Sequence, residues 1–85
     1  MSAAFEADLD PQTGAPRVRM NFSNGWSISI VLMMRPSQTS CLIASVAACP
    51  TGRWGQGKTQ LLESEASPEE VAQFAVEVAA REALS

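Results

Sequence analysis

From Arg17 onward the chain alternates in the way an extended segment with one buried face does: Val18, Met20 and Phe22 fall on one side, Arg17, Arg19 and Asn21 on the other. A second alternating run follows Ser23-Asn24-Gly25, with Trp26, Ile28, Ile30, Leu32 and Met34 on one face and Ser27, Ser29, Val31 and Met33 on the other. The connection decides the register, because a slip of one residue would turn every side chain to the opposite face. A two-residue turn would set each apolar residue against a serine. A three-residue loop, Ser23-Asn24-Gly25, pairs Phe22 with Trp26, Met20 with Ile28 and Val18 with Ile30, and places Gly25 where a bulged type I turn needs a left-handed residue.

Arg35-Pro36-Ser37-Gln38-Thr39-Ser40 reads as a loop and Cys41 to Cys49 as a third strand carrying small residues on both faces. Pro50-Thr51-Gly52 and Gly55-Gln56-Gly57 frame a further turn, after which Lys58 to Leu62 can add a short fourth strand. Ser67-Pro68-Glu69-Glu70 has the form of a helix start: a capping serine, proline at the first helical position, a glutamate able to close the capping box, and acids at the positive end of the dipole. Val71, Phe74, Ala75 and Val78 then recur at helical spacing, opposite a polar face of Glu69, Gln73, Glu77 and Arg81. Residues 1–16 show no periodic apolar face and are expected to be a flexible arm with Phe5 as its only anchor, leaving residues 17–85 as a single small domain.

These elements predict an α+β fold, a three- or four-stranded antiparallel sheet with one C-terminal helix packed on one face. One helix covers one face, so Val31 and Met33 are expected to point outward on the other. We therefore take Val31 and Met33, with Arg53 and Trp54 of the glycine-rich loop, as candidates for a protein interface seating a partner, a twin subunit or the N-terminal arm.

Composition narrows the chemistry. The 85 residues carry six basic and nine acidic side chains, a net charge of -3, which is the wrong sign for neutralising nucleic-acid phosphates. There is no histidine and no tyrosine, so Ser/His and Cys/His nucleophile pairs and Cys₂His₂ zinc sites are excluded within the chain. No catalytic residue, metal ligand or cofactor site is expected. Eight residues of strand separate Cys41 from Cys49 by roughly 26 Å, too far for a disulfide, and both are read as buried free thiols of a reducing compartment. The apolar runs are far shorter than the ~20 residues that span a bilayer. Acidic Glu6, Asp8 and Asp10 stand where an export signal would be basic and then apolar, so the expected setting is cytoplasmic, with no membrane partner.

One motif points elsewhere. Gly52 to Thr59 satisfies G-x-x-x-x-G-K-[ST], in which backbone amides cradle phosphates, Lys58 would meet the terminal phosphates and Thr59 would hold Mg²⁺; Gly52 and Gly57 are its glycines. That pattern works at the entry to a long helix in a parallel sheet, and only about eight residues separate Thr59 from the Ser67 cap. A minimal nucleotide or phosphate binder is therefore the alternative reading, and a solvated hairpin loop the preferred one.

The hairpin Asn21-Phe22-Ser23-Asn24-Gly25-Trp26-Ser27-Ile28-Ser29-Ile30-Val31, the apolar strand after it and the terminal Ser67-Pro68-Glu69-Glu70-Val71 helix start together resemble small proteins of tailed phages and prophages. The alanine-rich third strand and the basic loop at Gly52–Lys58 depart from that pattern. The resemblance carries no assigned activity. It implies a phage or prophage accessory protein in the bacterial host cytoplasm that binds a host protein, anti-CRISPR inhibitors of bacterial defence being one class of that setting. A homodimer is a further possibility.

Overall fold

The computed structural model describes residues 3–35 and 37–83, so Met1 and Ser2 of the expected arm and Pro36 of the expected loop lie outside the described residues. The described residues form one antiparallel sheet of five strands, β1 (Ala4–Leu9), β2 (Pro16–Asn21), β3 (Trp26–Leu32), β4 (Ala44–Pro50) and β5 (Gln60–Ala66), followed by helix α1 (Pro68–Ala79). Each strand pairs with its neighbours in sequence, giving the order β1-β2-β3-β4-β5. The α+β class and the terminal helix agree with the sequence, while the strand count exceeds three or four.

The hairpin forms in the expected register, with Val18 opposite Ile30 and Met20 opposite Ile28. Phe22 N donates to Trp26 O at 2.8 Å, Gly25 N to Phe22 O at 3.1 Å, and Gly25 adopts φ 89°. The helix start is also as read. Ser67 Oγ accepts from Glu70 N at 3.2 Å, and Ser67 N donates to Glu70 Oε1 at 3.0 Å.

The additional strand is β1, where a flexible arm was expected. Its residues alternate Phe5, Ala7 and Leu9 with Glu6 and Asp8, and each acid sits directly across from an arginine of β2: Glu6 from Arg19 and Asp8 from Arg17. Arg17 donates to both Asp8 oxygens at 2.8 and 2.6 Å. Complementarity with β2, more than any apolar face of its own, makes this segment a strand.

The third and fourth strands lie later in the chain than expected, β4 beginning three residues after Cys41 and β5 running from Gln60 to Ala66. The core explains the alanines. Ala44, Val46 and Ala48 of β4 and Ala66 of β5 are buried beneath Phe74 and Val78 of the helix, with Ile28 beside them. Small side chains on the strand under the helix let it approach closely, and larger residues on β3 fill the flank. Cys49 is buried on the other face and Cys41 half-buried in the loop before β4; both are free thiols.

Helix α1 packs on β3, β4 and β5. Five strands spaced about 4.8 Å apart span roughly 19 Å between edges, and a helix with its side chains is about 10 Å wide. One helix therefore covers half of the sheet, and the helix-side face over β1 and β2 stays open.

Candidate functional site

The open half-face is built from residues the register places together. Phe5 lies directly across from Met20, and Leu9 from Pro16, so the apolar side of β1 shares the face that carries the helix. Phe5 is 76% and Leu9 55% exposed among the described residues. Between the strands and the helix flank runs a groove of about 350 Å³ with Met20, Ile30 and Leu32 as its floor and Val71 and Ala72 on the helix side. Leu42, in the segment leading to β4, closes it and is 87% exposed. A smaller hollow around Phe5 and Phe22 shares Met20 with this groove, so the apolar surface is continuous from α1 to the β1 edge.

The opposite face carries a polar system. Asn21 Nδ2 donates to Glu6 Oε1, Ser27 Oγ donates to Asn21 Oδ1, and Ser27 and Thr51 share a hydroxyl hydrogen bond, each at 2.6 Å. Thr51 N also donates to Gly25 O at 2.8 Å, pinning the start of the β4–β5 loop across the hairpin end. Arg17 serves two acids, with Asp10 at 3.5 Å beside the Asp8 pair. The hydrogen bond from Arg17 holds the Asp8 carboxyl below its ordinary range, and Thr13 does the same for Asp10.

The expected interface residues fall on this second face or its loop. Val31 is half-buried and Met33 49% exposed, and the β1–β2 turn, through Asp10, Thr13 and Ala15, lines the same hollow. Trp54 is half-buried with the Arg19 guanidinium 4.7 Å from its ring centroid, so it packs away from solvent. Arg53 is exposed and reaches Gln56 Oε1 at 3.4 Å. Val31 and Met33 lie beside the β1–β2 turn, and Arg53 and Trp54 belong to the β4–β5 loop.

The Walker-like segment is that β4–β5 loop. Gly52, Gly55 and Gly57 take positive φ values of 81°, 79° and 72°, Lys58 and Thr59 are exposed, and the chain enters strand β5 at Gln60. The glycines are explained by consecutive tight turns between antiparallel strands. Among the described residues no group of three or more metal-ligating side chains occurs, and no helix is long and apolar enough to cross a membrane.

Sequence reasoning missed Phe5, Leu9 and Leu42 as surface-forming residues. The signal for the first two was present in the acid–arginine complementarity of residues 6–8 and 17–19; Leu42 carried none. Comparison with known protein families, curated proteins and solved structures gave no match.

Proposed function

We propose that this chain is a small non-enzymatic protein-binding domain, a phage or prophage accessory protein that occupies a surface of a host protein in the bacterial cytoplasm. Components of bacterial defence systems are the class of target its phage-like hairpin and helix start favour. The observation that carries the reading is the open apolar half-face, with Leu42 exposed at the groove and Phe5 exposed at the adjoining hollow. An uncovered apolar surface of this kind on a small domain marks a place where another protein docks. The absence of histidine from the sequence further supports binding over acid–base chemistry.

A photoreactive phenylalanine analogue placed at Leu42, at Met33 and at Gln73 tests this in a bacterial lysate. A discrete adduct from Leu42, absent from the polar helix position Gln73, is the expected result. An adduct from Met33 alone moves the site to the opposite face. No discrete adduct from any position, or the same adducts from Gln73, overturns protein binding.

A further inference from the structure

The free edge of β1 has a defined chemistry. Phe22 N bonds to Trp26 O, so Phe22 and, by the two-residue alternation of an antiparallel ladder, Met20 and Val18 turn their backbone groups toward β3. Asn21, Arg19 and Arg17 then turn theirs toward β1 and exchange hydrogen bonds with Ala4, Glu6 and Asp8. Asp10 N donates to Ala15 O at 2.7 Å, in keeping with that parity. The N–H and C=O groups of Phe5, Ala7 and Leu9 consequently face outward along the edge. Every side chain of β1 is exposed, with Phe5 and Leu9 on the helix side and Glu6 and Asp8 on the other.

We propose that β1 is a strand-docking edge that accepts an extended segment of a partner protein in which apolar residues alternate with arginine or lysine. This rests on the protein-binding reading above and names the partner's chemistry. The apolar side chains of the docked strand would lie beside Phe5 and Leu9, continuing the open half-face, and its cations beside Glu6 and Asp8. The chain already contains one instance of the fit: β2, with Arg17-Val18-Arg19-Met20, is a basic–apolar strand and pairs with the inner side of β1. Each carboxylate can accept from a second cation, and the Asp8 side chain is half-exposed beside Arg17.

Charge also disfavours a second copy as the occupant. Antiparallel two-fold pairing of β1 with itself, in the registers centred on Glu6, Ala7 or Asp8, sets acid against acid: Glu6 against Glu6, Glu6 against Asp8, or Asp8 against Asp8. Like charges directly opposite destabilise a pair, a known means of protecting edges from self-association.

The test uses labelled heptapeptides and the full chain, read by fluorescence anisotropy. TRVRVRT is expected to bind saturably below about 1 mM, while TEVEVET and the composition-matched RRRVVTT are not. Ala7→Pro removes an outward N–H without touching the β1–β2 ladder, so it should weaken TRVRVRT binding at least about tenfold with the melting curve retained. Glu6→Lys, which keeps the backbone intact, should reverse the preference toward TEVEVET. No saturable binding of TRVRVRT, equal binding of RRRVVTT, or binding indifferent to both substitutions overturns the proposal. A dimer in sedimentation that Ala7→Pro dissolves also overturns it, assigning the edge to a second copy. Crosslinking from Leu42 reads the groove and not the edge, so a failure here leaves the groove result standing, and the reverse holds.

Discussion

Asn24 shows how much one turn residue can do. Its Oδ1 accepts from Trp26 N at 3.0 Å, and its Nδ2 lies 2.9, 3.3 and 3.1 Å from the carbonyls of Val78, Ala79 and Arg81. The hairpin loop thereby caps the C-terminal end of α1, whose last turn contains no basic residue. Arg81 completes the junction, with its guanidinium 4.6 Å from the Trp26 ring centroid and an ion pair to Glu77 at 3.0 Å. Asn24→Ala should therefore lower stability by about 1–3 kcal/mol, since it removes the side-chain donor to these carbonyls; urea denaturation measures it, and a change within about 0.5 kcal/mol would show that the clamp contributes nothing. A second residue-scale prediction concerns acid. Asp8 and Asp10 titrate below the ordinary carboxylate value of 3.8 when folded, so the unfolded chain binds more protons as pH falls. Their stabilisation is present above that value and is lost as pH drops through the lowered folded pKa values. The melting temperature should fall below about pH 4, less steeply in Arg17→Gln, which has already lost the Asp8 and Asp10 pairs; parallel curves for the two proteins would count against it.

At the scale of elements, what could be read in advance was what local chemistry decides. The hairpin depended only on the alternation around Ser23-Asn24-Gly25, and the helix start only on Ser67 through Glu70; both formed in the expected register. Strand β1 and the position of β4 depend on partners distant in sequence. Phe5-Glu6-Ala7-Asp8-Leu9 is a strand because Arg17 and Arg19 lie across from it, and Ala44, Ala48 and Ala66 are small because a helix that follows them in the chain rests on them. The same division governs the open half-face, which exists because the extra strand widens the sheet beyond one helix. Two substitutions test elements separately. Ser67→Ala removes the cap and should cost about 1 kcal/mol. Lys58→Ala lies in the β4–β5 loop, where an antiparallel strand follows in place of a helix, and should leave stability unchanged; neither it nor the parent chain is expected to bind ATP with Mg²⁺ in calorimetry. Saturable ATP binding lost in Lys58→Ala would instead make the loop a phosphate site.

Across the whole molecule, stability should be graded from the β3–β4–α1 sandwich outward to β1. Ile28, Val46, Ala48 and Val78 are fully buried in that sandwich, whereas β1 contributes no buried side chain and the helix packs on β3, β4 and β5. Amide hydrogen exchange reads this gradient directly, because protection follows both the local opening free energy and the hydrogen bond of each N–H. The slowest amides are expected in β3 and β4, where ladders run on both sides. Along β1 the rates should alternate: Glu6 and Asp8, bonded inward to Arg19 and Arg17, retain moderate protection, while Phe5, Ala7 and Leu9 exchange close to the rate of an unstructured chain. The alternation follows from the ladder parity that the Phe22–Trp26 bond sets, so it checks the outward orientation of the edge independently of any ligand. Adding TRVRVRT should then slow Phe5, Ala7 and Leu9 selectively, because a docked strand supplies their missing partners. Uniform protection along β1 would mean that its edge is already paired, and uniformly fast exchange would mean that the β1–β2 ladder is open in solution; either outcome removes the basis for docking at this edge.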